Sequence, residues 1–125
     1  MRSFGDLEAR IMDAIWRADE PLTVQQVVDA LAAAHHEVAY TTAITVIERL
    51  RAKGWLDRER KGRSFLYGAT RDEAQYTAWL MEQALDTTSD RSAALLMFTG
   101  TLNEAEVEAL RTALHGMDES NRGSL

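Results

Sequence analysis

A helix is predicted over residues 40–53, and one side of it carries short hydroxyl side chains followed one turn later by a guanidinium. These residues are Thr41, Thr42, Thr45 and Arg49. A threonine hydroxyl can exchange hydrogen bonds with a base edge or a phosphate, and its methyl group can contact thymine. Short side chains near a helix start also let the backbone approach the floor of the major groove. We therefore predict that this helix contacts DNA.

A basic turn follows the helix, at a point where two strands are predicted to meet. Arg60, Lys61 and Arg63 flank Gly62, which can supply the positive φ of a tight hairpin turn. Residues 49–63 carry seven basic side chains against two acidic ones. Such a hairpin tip is suited to contact the DNA backbone or the minor groove.

The net charge of the chain conceals this basic segment. The formal net charge is −6, but residues 1–70 carry ten basic and ten acidic side chains, whereas residues 71–125 carry four and ten. Because the local field governs a contact with phosphate, an acidic protein with one concentrated basic patch can bind DNA.

The elements that must position these side chains follow from hydrophobic spacing and capping signals. A first helix is predicted over residues 6–18, and a second begins with a capping box formed by Thr23 and Gln26. Gly54 is a plausible terminator of the third helix, and from Trp55 the hydrophobic period changes to two. The apolar stripes predict a core composed of Leu7, Ile11, Ile15, Val27, Leu31, Val46, Ile47, Leu50 and Tyr67.

Further helices are predicted in the second half of the chain. A capping box from Thr70 to Glu73 is expected to open a helix that reaches about Asp86. A short apolar helix is expected over residues 93–98, and Asn103 is expected to cap a last helix that ends near Gly116. These short helices cannot close a core of their own, so we expect them to pair with a second copy of the chain. The expected contacts are Leu95, Leu96, Phe98, Leu110 and Leu114.

The predicted fold class is therefore mainly α with a small β-hairpin: a winged helix-turn-helix followed by a three-helix dimerisation segment. Residues 1–70 are assigned to the DNA-binding domain, residues 71–117 to the dimerisation domain and residues 118–125 to a flexible tail. Trp16, Trp55 and Trp79 are expected to anchor the core or an interface.

Several classes of site are disfavoured by the sequence. The chain has no cysteine, so it forms no disulfide and no thiolate metal site. His35 and His36 are adjacent, which is not the spacing of two ligands on one helix face, and a solvated loop is expected. No nucleophile motif or glycine-rich phosphate loop is evident, so neither enzymatic activity nor a cofactor is expected. No apolar run is long enough to cross a bilayer and the amino terminus does not resemble a signal peptide, which predicts a cytoplasmic protein.

Three segments resemble the BlaI/MecI-type penicillinase repressors, a family of winged-helix transcriptional repressors. They are Leu7–Trp16 in the first helix, Tyr40–Gly54 in the third helix, and Gly62–Tyr67 in the hairpin. The resemblance extends to Leu114 and so covers nearly the whole chain.

The resemblance implies a homodimer on a palindromic operator that represses β-lactamase or related genes, and hence a role in antibiotic resistance. It also implies release from DNA when a membrane-bound β-lactam-sensor protease triggers cleavage in the fifth helix. The bond that aligns with the cleavage site is Met97–Phe98.

The residues leave two other functions open. One is a small-molecule-responsive winged-helix regulator with a ligand held near Trp79, for which a ligand-induced loss of DNA binding would speak. The other is a winged-helix protein-interaction module that never binds DNA, for which absent or salt-insensitive DNA binding would speak.

Overall fold

The computed structural model describes residues 4–123. Within this range the chain forms six helices and one antiparallel hairpin, in the order α1 (Asp6–Arg17), α2 (Val24–Ala33), α3 (Tyr40–Ala52), β1 (Leu56–Lys61), β2 (Ser64–Ala69), α4 (Glu73–Leu85), α5 (Arg91–Thr99) and α6 (Glu104–Gly123). The mainly helical winged helix-turn-helix predicted from the sequence is confirmed. None of the described helices is long and apolar enough to span a membrane.

The predicted capping signals of the first half are present. The Thr23 hydroxyl accepts a hydrogen bond from the Gln26 amide at 3.1 Å, and the Gln26 side chain accepts one from the Thr23 amide at 2.9 Å. Gly54 adopts φ +87° immediately after Lys53, the C-cap residue of α3. These local bonds satisfy N–H groups that a helix start would otherwise leave unpaired, which is why α2 begins where the sequence predicts.

The hairpin, hereafter the wing, pairs in register from Leu56 opposite Ala69 to Lys61 opposite Ser64. Gly62 occupies the turn with φ +63°, as predicted. The loop before α2 adds a single bridge to β2, because Leu22 and Tyr67 exchange both backbone hydrogen bonds, at 3.0 and 2.7 Å. The wing is therefore fastened to the helices through its second strand.

The core lies between α1, α2, α3 and the wing. Every residue predicted for it is buried there except Leu7, which is partly buried against the same cluster. Met12, Val24, Ala43, Trp55 and Leu56 complete the buried set. Burial of this apolar surface, at roughly 25 cal/mol per Å², is the main force that holds the three helices and the wing together.

A cluster of five aromatic rings extends this core toward α4, and it contains the three tryptophans expected to act as anchors. Phe4 and Tyr76 stack at 4.1 Å between ring centroids, and the ring of Trp55 lies edge-on to Tyr76 at 5.1 Å and to Trp79 at 5.5 Å. Trp16 joins them, 5.7 Å from Tyr76. The start of α4 thus packs on the winged helix.

The capping box predicted at Thr70 is wrong. Asp72 caps α4 instead, since its carboxylate accepts a hydrogen bond from the Gln75 amide at 2.8 Å and its own amide donates to the Gln75 side chain at 2.8 Å. The Thr70 hydroxyl donates to the Gly54 carbonyl at 2.6 Å, which ties the end of β2 to the end of α3. Both residues are suitable N-caps, and the tertiary bond of Thr70 decides between them.

The chain divides into two compact units, and the boundary between them falls between Gln83 and Ala84. The aromatic packing of Tyr76 and Trp79 assigns most of α4 to the first unit. In the second unit, Asp90 caps α5, which therefore begins at Arg91 instead of Ala93.

The last helix is longer than predicted. Asn103 and Glu106 form the expected capping box, with both bonds at 2.9 Å, but α6 continues through Gly116 to Gly123. Residues 118–123 were expected to belong to a tail and are helical; residues 124 and 125 lie outside the described range. An ion pair between Arg122 and Asp118, at 3.3 Å, accompanies the extra turns.

Gly54→Ala should lower the free energy of unfolding by about 1–2 kcal/mol, because a β-carbon disfavours the left-handed backbone conformation. The added methyl group would meet no atom within 4 Å, so backbone strain is the whole effect. Urea unfolding at fixed protein concentration, followed by tryptophan fluorescence, measures it.

Gly68→Ala is the matched control, because Gly68 has no positive φ and its β-carbon would meet Asp57 and Pro21 only in ordinary contact, at 3.5 and 3.6 Å. Its effect should stay within about 0.5 kcal/mol. Equal losses in the two variants would contradict the strained turn at Gly54.

Candidate nucleic-acid interface

Helix α3 has a buried apolar side and an exposed side that carries the predicted DNA contacts. Its apolar residues Ala43, Val46, Ile47 and Leu50 are buried in the core. The residues predicted to contact DNA, which are Thr41, Thr42, Thr45 and Arg49, are all exposed. The helix therefore presents a continuous hydroxyl-bearing surface to solvent while its opposite side anchors it.

The proton of the Thr45 hydroxyl is already used in a hydrogen bond within α3. The hydroxyl donates a hydrogen bond to the Thr41 carbonyl at 2.9 Å. A hydroxyl has one proton to donate, so in this state Thr45 can offer only its lone pairs to a ligand. Amino groups on adenine and cytosine are the base-edge donors that such an acceptor could meet in the major groove.

The tip of the wing, residues 60–63, holds its cations in the open. Arg60, Lys61 and Arg63 are all exposed. Arg60 donates from Nε to the Gly62 carbonyl at 3.2 Å, which orders that side chain across the turn. This tip is short and positively charged, and Gly62 allows its tight turn through a positive φ, which suits contact with a DNA backbone.

The seven cations of residues 49–63 fall into two classes. Three are held in ion pairs: Lys53 with Glu8 at 2.7 Å, and Arg51 and Arg58 with the same carboxylate, Glu48, at 2.8 and 2.9 Å. Within the described chain, the other four form no ion pair shorter than 4.0 Å, and these are Arg49, Arg60, Lys61 and Arg63. The free cations are the same four that the sequence predicted as DNA contacts.

Glu48 is a charged residue of this region that the sequence analysis did not single out. The Tyr67 hydroxyl donates to its Oε1 at 2.6 Å, and this hydrogen bond is the leading cause that lowers the pKa of Glu48. Partial burial opposes the lowering, and Arg51 and Arg58 reinforce it. The pKa of Tyr67 is raised by burial and by its hydrogen bond to the carboxylate. Glu48 is thus held ionised at the junction of α3 and the wing.

A cleft of about 210 Å³ opens between the start of α3 and the wing. Tyr40, Ile44, Arg63 and Ser64 line it, together with Thr23 at the start of α2. Tyr40 is 48% exposed although it is aromatic. The cleft brings a wing-tip cation and the start of α3 to one surface. Tyr40 and Ser64 are further polar groups there that the sequence analysis did not single out.

The adjacent histidines lie where a solvated loop was expected. His35 is exposed with φ +63°, and the His36 ring contacts the side chain of Arg10. Among the described residues, no group of three histidine, aspartate or glutamate side chains converges to hold a metal ion.

The second compact unit exposes its apolar side chains. The five predicted dimer contacts are between 39% and 74% exposed, Leu110 being the lowest and Leu96 the highest. Met97 and Met117 are also exposed, at 79% and 62%. Several large apolar side chains exposed on one small unit are typical of an interaction surface.

The profile of the penicillinase repressor family matches residues 4–116. The chain belongs to the penicillinase repressor family. It is 40% identical over 113 residues to the transcriptional regulator BlaI of Mycobacterium tuberculosis, a match that covers 88% of this chain and 81% of that relative. This repressor is therefore a BlaI-like transcriptional regulator with a winged-helix DNA-binding fold, and its family is one of regulators, not enzymes.

A solved structure agrees with this assignment. The solution structure of the DNA-binding domain of the repressor BlaI is 28% identical, with a TM-score of 0.51, and the match covers 61% of this chain and 94% of that one. A monomeric form of BlaI from Bacillus licheniformis, solved with the blaP half-operator, is also 28% identical, with a TM-score of 0.49 over 60% of this chain and 89% of that one.

The Glu8–Lys53 ion pair of this repressor should give its stability a measurable pH dependence. Partial burial raises the pKa of Glu8, but hydrogen bonds from Lys53 and the Gly5 amide, with the charges of Lys53 and Arg49, lower it below its usual 4.5. The ionised carboxylate therefore stabilises the fold above that pH, and the contribution is lost as the pH falls through the lowered pKa.

Glu8→Gln should accordingly reduce the free energy of unfolding at pH 7 and flatten its decline between about pH 5 and pH 3. Lys53→Gln should flatten the same decline, whereas Glu59→Gln, at an exposed wing residue without an ion pair in the described chain, should leave it unchanged. Urea unfolding at each pH measures all three. An unchanged decline in Lys53→Gln would contradict the pairing.

Proposed function

We propose that this protein is a cytoplasmic homodimeric repressor that binds a palindromic operator through its winged helix, residues 1–70, and dimerises through residues 71–117. The observation that carries the proposal is the surface shared by α3 and the wing tip, on which Arg49, Arg60, Lys61 and Arg63 are free of ion pairs. By family, the regulated genes are those for β-lactamase or related functions, and occupancy of the promoter excludes polymerase.

Helix α3 and the wing tip have different tasks in DNA binding. Thr41, Thr42 and Thr45 are short and exposed, so α3 can lie deep in the major groove with its hydroxyls against base edges. The wing-tip cations contact phosphates, which fixes the register of the protein on the duplex without reading sequence.

Replacement of Arg60, Lys61 and Arg63 together by alanine should weaken binding to every duplex alike. It should also flatten the log–log dependence of affinity on salt by about 2.7, since each neutralised phosphate contributes roughly 0.9 to the slope. Titration of a labelled duplex at several salt concentrations measures this slope.

Lys53→Ala is the control for that experiment, because Lys53 is already paired with Glu8 at 2.7 Å. It removes a cation from the same segment and should leave the salt dependence unchanged. A wild-type slope in the triple variant would place the wing away from DNA.

Dimerisation follows from the apolar surface of the second unit. Leu95, Leu96 and Phe98 on α5, with Leu110 and Leu114 on α6, would remain in water in an isolated chain. A second copy can cover the same surface isologously. Two linked winged helices then bind two half-sites as one bivalent ligand, which can raise apparent affinity by roughly 10²–10⁴.

Release is proposed to follow cleavage of the Met97–Phe98 bond by a β-lactam-sensor protease of the membrane. Met97 is 79% exposed, and the bond lies in the last turn of α5, two residues before Gly100. Short helix ends open readily, so a protease can reach this bond more easily than one in a helix centre. The cut removes Phe98 and all of α6, and with them most of the proposed dimer contacts.

Leu114→Glu should convert the dimer into a monomer and lower operator affinity by roughly 10²–10⁴, because it buries a charge in the proposed interface. Sedimentation should change from twice the 14.0 kDa chain mass to once that mass. Tryptophan fluorescence should not change, since all three tryptophans precede Gln83.

Thr112→Glu adds the same charge to α6 about 200° around the helix from Leu114, and should remain dimeric. If both variants sediment as the wild-type protein does, α6 is not part of the dimer interface.

The packing of Trp79 counts against a ligand stacked on that ring. Its centroid lies 5.5 Å from Trp55 and 6.1 Å from Tyr76, so the ring is engaged in the aromatic cluster of the first unit.

A further inference from the structure

Glu48 stands at the edge of the recognition surface, where α3 meets the wing. It follows Thr45 by three residues and therefore lies on a neighbouring line of the helix surface. Its Oε1 accepts hydrogen bonds from Tyr67 and Arg58, and its Oε2 accepts one from Arg51. One carboxylate thus binds two arginines of the segment that carries the free cations.

We propose that Glu48 is a specificity-determining residue, which limits non-specific DNA binding by keeping Arg51 and Arg58 from phosphates. The inference rests on the proposed function, because it presumes that α3 and the wing meet DNA. The pair with Arg51 has the i, i+3 spacing of a helix, but sequence spacing does not reveal the pair with Arg58, which is ten residues from Glu48 and on another element.

Arg58 is close enough to the wing tip to become a phosphate ligand. It shares one side of β1 with Arg60, two residues on. Both guanidinium groups lie over the ring of Phe65, at 4.2 Å for Arg58 and 5.9 Å for Arg60. Of these two arginines only Arg58 is held by a carboxylate, whereas Arg60 donates to the Gly62 carbonyl at the wing tip.

The pairing matters for specificity because phosphate contacts are blind to sequence. Each additional cation that reaches a phosphate strengthens operator and random DNA together. A protein with a surplus of such contacts gains non-specific affinity, so that the many non-operator sites of the genome compete with the operator for it. Because two arginines are held in internal ion pairs, discrimination between operator and random DNA depends more on the exposed side of α3, where the threonines lie.

Glu48→Gln tests this, because it removes the charge and keeps an acceptor for Tyr67. With a random-sequence duplex, the log–log salt slope should steepen by about 0.9 to 1.8 as one or two arginines become available. At the upper value, lowering salt from about 200 to 50 mM should strengthen binding roughly tenfold more than it does for the wild-type protein. The ratio of affinities for a duplex selected by the wild-type protein and for the random duplex should fall.

Two further variants separate this effect from a general change of charge or structure. Glu59→Gln removes one negative charge from β1 without freeing an arginine, and should change the slope by much less. The triple variant Glu48→Gln, Arg51→Gln, Arg58→Gln should return the slope to the wild-type value. Circular dichroism and tryptophan fluorescence confirm that each variant is folded.

The outcomes are distinct. A slope in Glu48→Gln equal to that of the wild-type protein or of Glu59→Gln overturns the role of Glu48, while wild-type binding remains. A steeper slope that persists in the triple variant also overturns it, since the two arginines are then not the cause. Absent or salt-insensitive binding by the wild-type protein overturns the proposed function itself.

Discussion

Burial of Tyr67 is the constraint on which the winged helix depends. The side chain is only 1% exposed, yet its hydroxyl must keep a hydrogen-bond partner, because an unpaired buried hydroxyl is destabilising by about 1–3 kcal/mol. Glu48 supplies that partner from α3, while the backbone of Tyr67 pairs with Arg58 of β1 on one side and Leu22 on the other. One residue therefore joins α3, both wing strands and the loop before α2.

This arrangement also decides how the charges of the segment are used. A carboxylate that must sit beside Tyr67 attracts the nearest guanidinium groups, Arg51 and Arg58, and so lowers the positive charge offered to a ligand. The remaining cations are displayed on α3 and at the wing tip. Under the proposed function, core packing and DNA selection thus meet at a single side chain, whose oxygen satisfies Tyr67 and whose charge holds the two arginines.

Local signals made much of the fold predictable. The Thr23–Gln26 capping box, the glycines at 54 and 62 and the apolar spacing of α3 each act within a few residues, so the sequence alone identifies them. The predictions were wrong where a contact between residues distant in the sequence, or the full length of a helix, decided the structure. The sequence favours Thr70 as a helix cap, because its hydrogen bond to the Gly54 carbonyl joins residues distant in the chain and leaves no local signal. The polar composition after Gly116 predicts the end of α6 there, but the helix continues to Gly123.

The same distinction applies to the candidate site. Arg49, Arg60, Lys61 and Arg63 were proposed from charge density and position, and the structure separates them from three paired cations that density alone cannot distinguish. The role of Glu48 could not be predicted, since an acidic residue on the edge of an amphipathic helix is usually a solvated group. The sequence marks the residue only by its isolation, because Glu48 is the one acidic side chain between Tyr40 and Leu56, amid three basic ones.

The division into two compact units bears on how such a repressor can be switched. The first unit has its own core and its own aromatic cluster, so its fold does not require the apolar side chains of α6. Under the proposed function, the second unit contributes to operator binding only by linking two copies, which acts through effective concentration. Loss of that link lowers occupancy while every DNA-contacting side chain keeps its place. Control by dimerisation therefore needs no conformational signal to pass through the winged helix, and the recognition surface is free to remain rigid.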